Sequence, residues 1–582
     1  MKVLARPLLD FWHTSCDRIS VPGFFPDKLE RALRVSKLPT DDPRPRAQGI
    51  IERTDSPPAQ DYEGWRRARL AVRLAMVRPD VWNNLITVVV HGLYSHSDAL
   101  ARTLTALRCQ TYRNIEILLA GQTDLPNADD FVTLRGLFVM PGLDPLDLLS
   151  DSMTDQLWRG SHLVFAAAGT TFDADAFALL NRALSPPLGT ATPDLVICDH
   201  DRIVTQATSP EPCFLPGWDP DLVCTMDYVG SAFMASRKLI LQRRSSRRPA
   251  SLHEWLATLG TGDAITVAHI AEPILHLLDD LPRPAPAAVT PERPARAVPV
   301  AIIIPNRDQP DLLRRCMGFL DFFDGPLVEL IVVDHASTDP ATLALYAEAE
   351  SKNGARILRI PGSFNFSRMI NLGVAATTAK VILLMNNDVE VTIPGQMETI
   401  IENAMRPEVG VAGARLLYPD GRVQHAGMLL QSGPDRLHRV MAQHVLRGAP
   451  GDADGYLSAQ RTVRNYQAVT GALMATRRDV FESAGGFDEV SLPVEYNDVD
   501  YCLRVRALGL RVVAIPTDGI IHRESSTRGK EATPEVQAMR SHAMTVIADR
   551  WRDEIERDPF RKPFADLGDV SDVRFPWTVD NQ

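Results

Sequence analysis

The sequence predicts an α/β protein built from two tandem units, each a mainly parallel sheet covered by helices, with an N-terminal extension. Three observations carry this reading. Predominantly apolar runs such as Leu85 to Val90 (LITVVV) and Val298 to Ile304 (VPVAIII) have the length and composition of strands buried on both faces. A helical segment follows each run, Ala99 to Cys109 and Asp311 to Phe322, and then a second strand, Ile115 to Ala120 (IEILLA) and Leu327 to Val333 (LVELIVV). The plan also repeats in detail: Tyr228 to Lys238 (YVGSAFMASRK) is similar to Ala468 to Arg478 (AVTGALMATRR), with alanine and arginine in register.

A chain of 582 residues exceeds what one hydrophobic core supports. Proline-rich polar stretches at Leu38 to Gln60 and Asp279 to Pro299 read as linkers. They set the expected boundaries: an extension over 1–80, a first unit over 81–278, a linker over 279–297, a second unit over 298–530, and a helical or extended tail over 531–582. The net charge of −11 is spread along the chain, which argues against nucleic acid as a partner, because that needs a basic surface. The seven cysteines, Cys16, Cys109, Cys198, Cys213, Cys224, Cys316 and Cys502, are scattered without a CxxC pair, as in a reducing compartment. Met1 to Asp10 lack the apolar core and cleavage site of a signal peptide, and no apolar run approaches the roughly 20 residues of a membrane span. The expectation is a cytoplasmic protein whose membrane association, at the inner face, is peripheral.

Ligands of such sheets bind beyond the carboxyl ends of the strands. In the second unit these positions are polar: Asn306-Arg307, Asp334, and Asn386-Asn387-Asp388 after Val381 to Met385 (VILLM). A carboxylate there suits a hard divalent cation that bridges two phosphates, although strand-end Asn and Asp are also ordinary turn formers. Asp334 opens DHASTD, where a carboxylate can accept from a base N–H. Asn365-Phe366-Ser367 and Asn371 add amides and a hydroxyl near a helix start, where capping is the competing role. Asp498, in EYNDVDYCLR, precedes a helix and can take a proton from an acceptor hydroxyl; dipole-favoured capping is the alternative. His522 follows the strand Val512 to Ile515, and a lone histidine is more often structural than a ligand.

The order of these segments carries a resemblance. From Val298 to Lys530, through PNRDQPDLLRRC, VVDHASTD, FNFSRMINLG, LLMNNDVEV, RPEVGVAGARLLYPDGRVQHAG, GGFDE, NDVDYCLR and HRESSTRG, the sequence resembles family 2 glycosyltransferases of the GT-A fold, especially bacterial rhamnosyltransferase-like members. The resemblance implies that Pro305, Asn306, Arg307, Asp334, Asn365, Asn371, Asn387 and Asp388 bind the nucleotide, and that Asp388 binds Mg²⁺ or Mn²⁺ with His522. It further implies that Asp498 is the catalytic base. The implied donor is a UDP- or dTDP-sugar, and the acceptor a glycan or lipid-linked glycan of surface polysaccharide synthesis. Two departures stand out: His335 where asparagine is common, and NND in place of DxD.

The first unit resembles the same family in Asp194 to Arg202 and Pro216 to Gly230, but Leu163 to Ala166 leads into AAGTT, and no acidic pair matches Asn497-Asp498. It is expected not to transfer sugar; Asp199 and Asp201 read as binding or capping residues. Two other readings compete. One is a non-catalytic glycan- or protein-binding scaffold of decayed domains, against which Asp388 and Asp498 speak. The other is a sugar nucleotidyltransferase, whose glycine-rich phosphate loop is missing at Pro305-Asn306-Arg307-Asp308.

Overall fold

The computed structural model describes residues 48–51, 62–76, 83–92, 97–121, 136–140, 143–185, 191–203, 210–244, 247–261, 265–278, 298–323, 327–432, 440–523, 533–556, 558 and 560. Cys16, the linker 279–297 and most of the linker Leu38 to Gln60 lie outside the described residues. In chain order the first sheet contains β1 (Gln48–Ile51), β2 (Ile86–His91), β3 (Ile115–Ala120), β4 (Gly136–Met140), β5 (His162–Ala167), β6 (Thr171–Phe172), β7 (Leu195–Ile203), β8 (Glu211–Cys213), β9 (Phe233–Ser236) and β10 (Val267–Leu278). The second half follows with β11 (Val300–Asn306), β12 (Leu327–Asp334), β13 (Arg356–Arg359), β14 (Val381–Met385), β15 (Val389–Val391), β16 (Val409–Ala414), β17 (Leu416–Leu417) and β18 (Val423–His425). It ends with β19 (Met428–Ser432), β20 (Val440–His444), β21 (Arg464–Asn465), β22 (Leu473–Arg477), β23 (Arg511–Ile515) and β24 (Ile520–His522).

The expected duplication is visible in the strand order. The first sheet runs β10-β7-β9-β5-β2-β3-β4 and the second β23-β16-β22-β14-β11-β12-β13, the same path in both copies. In each, a single antiparallel strand, β9 or β22, lies between neighbours. The copies differ at the edge, where β1 adds parallel to β10 and β21 adds antiparallel to β23. The expected extension therefore contributes a strand to the first sheet.

Burial on both faces explains the apolar runs. Along β11, Val300, Ile302 and Ile304 pack with Leu313, Leu345 and Tyr346 on one side, and Ala301 and Ile303 pack with Met369, Ile370 and Val499 on the other. A side chain on Gly373 would come within 2.5 Å of the Ile303 Cγ2, so glycine lets the helix Phe366–Ala375 lie this close to β11. The second core also takes in Ala543, Ile547, Ala548 and Ile555 of the helix Pro534–Glu556, so packing continues past the expected boundary at 530. Among the described residues no helix is long and apolar enough to cross a membrane.

The copies meet through buried polar contacts. The Asp219 carboxylate accepts from the Asn465 backbone N–H at 3.0 Å and from its Nδ2 at 2.6 Å. Asp221 lies 2.6 Å from Arg406 and 2.6 Å from Arg511. The Tyr456 hydroxyl accepts from the Phe214 N–H at 2.8 Å and donates to its carbonyl at 3.0 Å.

Candidate functional site

The polar residues of the second copy converge where β11, β12 and β14 end. Pro305 and Asn306 are themselves buried strand residues rather than the loop that follows, whereas Arg307 is exposed. The Asn306 carbonyl oxygen of the side chain accepts from Asn387 Nδ2 at 2.6 Å, and Asn306 Nδ2 donates to the Tyr346 hydroxyl at 2.7 Å. Tyr346 in turn donates to Asp334 Oδ1 at 2.8 Å, and Ser337 donates to the same carboxylate from its N–H and its hydroxyl. Asp334 is fully buried in this net, so in this structure its carboxylate fixes the loop Asp334 to Asp339 against three strand ends.

The amides of Asn365 and Asn371 are engaged within the protein. Asn365 caps the helix Phe366–Ala375 through Arg368 N and donates to the Glu489 carbonyl at 2.9 Å. Asn371 donates to the Phe487 carbonyl at 2.9 Å and to Glu489 Oε1 at 2.8 Å, and accepts from the Phe487 N–H at 2.9 Å. Their amides brace the segment leading to Asp498. A sequence motif cannot separate these roles, because the same amide serves a ligand or a loop equally well.

Asp388 is buried at the mouth of β14, and its Oδ1 has no hydrogen-bond partner. His522 Nε2 lies 3.1 Å from that oxygen, and His522 Nδ1 is 2.7 Å from Gln424 Oε1. With the proton placed on Nδ1 by the Gln424 contact, Nε2 would turn a lone pair toward the carboxylate oxygen, and the two atoms would be free to share a cation. The Asn386 side-chain oxygen is also buried without a partner. Among the described residues no group of three or more His, Cys, Asp and Glu side chains could hold a metal ion. A divalent cation held by Asp388 and His522 would have to take its remaining ligands from phosphate oxygens and water.

Asp498 lies in the first turn of the helix Asn497–Ala507. Its Oδ2 accepts from the Gly471 N–H at 2.8 Å and its Oδ1 from Val499 N at 2.8 Å. Burial, the largest influence, raises its pKa above the ordinary carboxylate value. A side chain at Gly471 would approach the Asp498 Cβ to 3.3 Å and press on it. Before it, Tyr496 is left-handed, with φ of 62°, and is held there by its hydroxyl, which donates to the Val440 carbonyl at 3.1 Å and accepts from Ala442 N at 3.4 Å. His425 Nε2 accepts from Thr470 N at 3.3 Å, one residue before Gly471.

Several supports were missed at the sequence level. Asp500 is fully buried, bound by Arg504 at 2.8 Å, the Trp551 indole N–H at 2.9 Å and Arg550 at 3.3 Å. Nothing in the tail sequence marks Trp551 as a partner of the site.

Residues 301–462 match the family described as Glycosyl transferase family 2. The chain carries a family 2 glycosyltransferase domain. An uncharacterized protein of Sinorhizobium fredii, y4gI, is 29% identical over 560 residues, covering 86% of this chain and 60% of that protein. The O-antigen biosynthesis protein RfbC of Myxococcus xanthus is 31% identical over 430 residues, covering 66% of this chain and 32% of RfbC. The N-acetylglucosaminyl-diphospho-decaprenol L-rhamnosyltransferase of Mycobacterium tuberculosis is 24% identical over 260 residues, covering 41% of this chain and 82% of that enzyme. The chain thus spans less than two thirds of the first two relatives.

Strand register shows what the other copy lacks relative to this glycosyltransferase domain. His162 faces Ser236 as Ile382 faces Thr476, which places Ala168 at the position of Asp388. Ile86 pairs with Ile115 as Ala301 pairs with Glu329, which places Ala120 at the position of Asp334. Leu252 opens the corresponding helix, Leu252–Thr261, between β9 and β10.

Proposed function

We propose that the second copy is an inverting glycosyltransferase that moves a sugar from a UDP- or dTDP-linked donor to a glycan or lipid-linked acceptor in surface polysaccharide synthesis. The observation that carries this is the pairing of two differently prepared carboxylates on one sheet edge. Asp388 has a bare oxygen facing His522, and Asp498 is half-buried and held by two backbone N–H groups. Asp388 and His522 would hold Mg²⁺ or Mn²⁺, which supplies charge stabilisation of the leaving diphosphate when bound. Asn306, Asn387 and Asp334 order the strand ends around the nucleotide, with Pro305 and Arg307 flanking them.

In the proposed reaction Asp498 takes the proton of the acceptor hydroxyl. The oxygen forms a bond to the anomeric carbon as the bond from that carbon to the phosphate oxygen breaks, and the nucleoside diphosphate leaves with the electron pair. Attack from the face opposite the leaving group inverts the anomeric centre. The scaffold alternative predicts no nucleotide site at all.

Titration of the full chain with UDP, dTDP and GDP, with and without Mn²⁺, tests the reading. Binding that needs Mn²⁺ and weakens at least about tenfold in Asp388→Ala is expected, the loss of one charge-assisted contact. Absence of binding by every nucleotide would favour the scaffold. A second expectation concerns Tyr496. Tyr496→Phe removes the hydroxyl that holds the left-handed turn before Asp498, so kcat should fall by about tenfold with donor KM unchanged, as expected for a misplaced base. Equal loss in KM would assign Tyr496 to substrate binding instead.

A further inference from the structure

The first copy has no use in the reaction above, yet it concentrates charge at the same corner of its sheet. His200 pairs with Leu275 on β10 as Leu417 pairs with Ile521 on β24, and Leu195 faces Ala235 as Ala412 faces Ala475. Counting along these strands puts His276 at the position of His522, although their antiparallel partners, Thr171 and Val389, differ by two residues from the count that matches Ala168 to Asp388. Both histidines face a carboxylate oxygen across 3.1 Å, Asp173 in the first copy and Asp388 in the second.

The surroundings then diverge. In the first copy Asp173, Asp175, Asp201 and Glu272 are all buried around His276, which also lies 2.8 Å from Asp201. The helix Tyr62–Met76 covers them with one face, because Arg66, Arg69 and Arg73 recur at spacings of three and four. Arg66 lies 2.9 Å from Asp173, and Arg69 Nε 2.9 Å from Glu272. Arg73 reaches Asp175 at 2.8 Å, Glu272 at 3.0 Å and Asp173 at 2.5 Å. The Tyr62 hydroxyl donates to Asp201 at 3.0 Å. Burial alone would depress the pKa of His276, but its hydrogen bonds to Asp173 and Asp201 outweigh burial and raise it to about 9. Four carboxyl groups thus face three guanidinium groups and a histidine that is bound to two of them.

We infer that this corner of the first copy is a guanidinium-binding site, filled in cis by the helix Tyr62–Met76 where the second copy keeps an unpartnered carboxylate oxygen. The comparison of the two corners rests on the donor-site reading of Asp388 and His522. Arginine supplies fixed positive charge and planar double hydrogen bonds, so it neutralises the acids without an exchangeable ion. The helix thereby closes the first copy to nucleotide, and the replacement of Asp334 and Asp388 by Ala120 and Ala168 fits the same loss. The first copy becomes a structure of one state that carries the second.

Hydrogen exchange of the full chain, read by mass spectrometry, tests this. Amides of Tyr62–Met76 should be protected to the degree of β10. They should stay so when UDP, dTDP or GDP is added with Mn²⁺, while exchange at 386–391 and 496–500 slows. Arg66→Ala, Arg69→Ala and Arg73→Ala combined should speed exchange of that helix by about tenfold or more and leave β11 and β14 unchanged. Should that variant not fold, Arg66→Gln alone should show a smaller change in the same direction. Unprotected helix amides in the wild type, loss of their protection on adding nucleotide, or no change in the arginine variants would overturn the assignment. If no nucleotide slows exchange at 386–391, the transferase reading falls, and the helix result stands or falls on protection and the arginine variants alone.

Discussion

Asp498→Asn should reduce transfer by about 10²–10⁴-fold, the span of general-base catalysis, while nucleotide affinity stays within about twofold. The asparagine side chain keeps an oxygen for the Gly471 N–H or for Val499 N, so the turn and the helix start are retained. What it loses is the ability to take a proton. Burial raises the pKa of Asp498, and the base must be ionised to act, so activity should fall as pH drops through a value above the ordinary carboxylate pKa. The acid limb of kcat/KM against pH should show this shift in the wild type and vanish from the residual activity of the variant. A variant with full turnover would remove Asp498 from the chemistry, and one that loses nucleotide binding would make it a structural cap.

The sheet and the strand-end acids were legible because they follow from local pattern. Val381 to Met385 is buried on both faces and therefore reads as an unbroken apolar run, and polarity returns where the strand emerges at Asn386. What stayed hidden depends on partners far along the chain. Arg66, Arg69 and Arg73 look like the solvated stripe of a surface helix, yet Arg66 meets Asp173 from 107 residues away. Asn365 and Asn371 read as nucleotide-binding from a resemblance, and nothing in the sequence signals that their amides bond Phe487 and Glu489. Trp551 lies in a stretch that reads as a tail, and its indole N–H closes on Asp500 beside the proposed base. Periodicity reports which face is buried. It does not report which polar group will meet which.

The same limit applies to the contact between the copies, where the second large effect is expected. Asp221→Ala should destabilise the protein by about 3–5 kcal/mol, because it leaves Arg406 and Arg511 facing one another in a buried interface without their shared carboxylate. Asn465 Nδ2, 2.8 Å from Asp221, would lose one of its acceptors as well. Asp219 cannot substitute: it is already bound by Asn465 and by the N–H groups of Asp221 and Leu222, and burial raises its pKa, which weakens it as a counter-charge. Glu408, 2.9 Å from Arg406 and 2.8 Å from Arg511, is half exposed and offsets part of the loss. By thermal denaturation the midpoint should drop by at least about 5 °C, and Asp221→Asn, which keeps the hydrogen bonds but not the charge, should fall between the two. Because Arg511 begins β23 and Arg406 lies between the helix Gln396–Ala404 and β16, a change at this contact reaches the sheet that leads to Asp388. An unchanged midpoint in Asp221→Ala would mean that the first copy gives the second no stability through this charge.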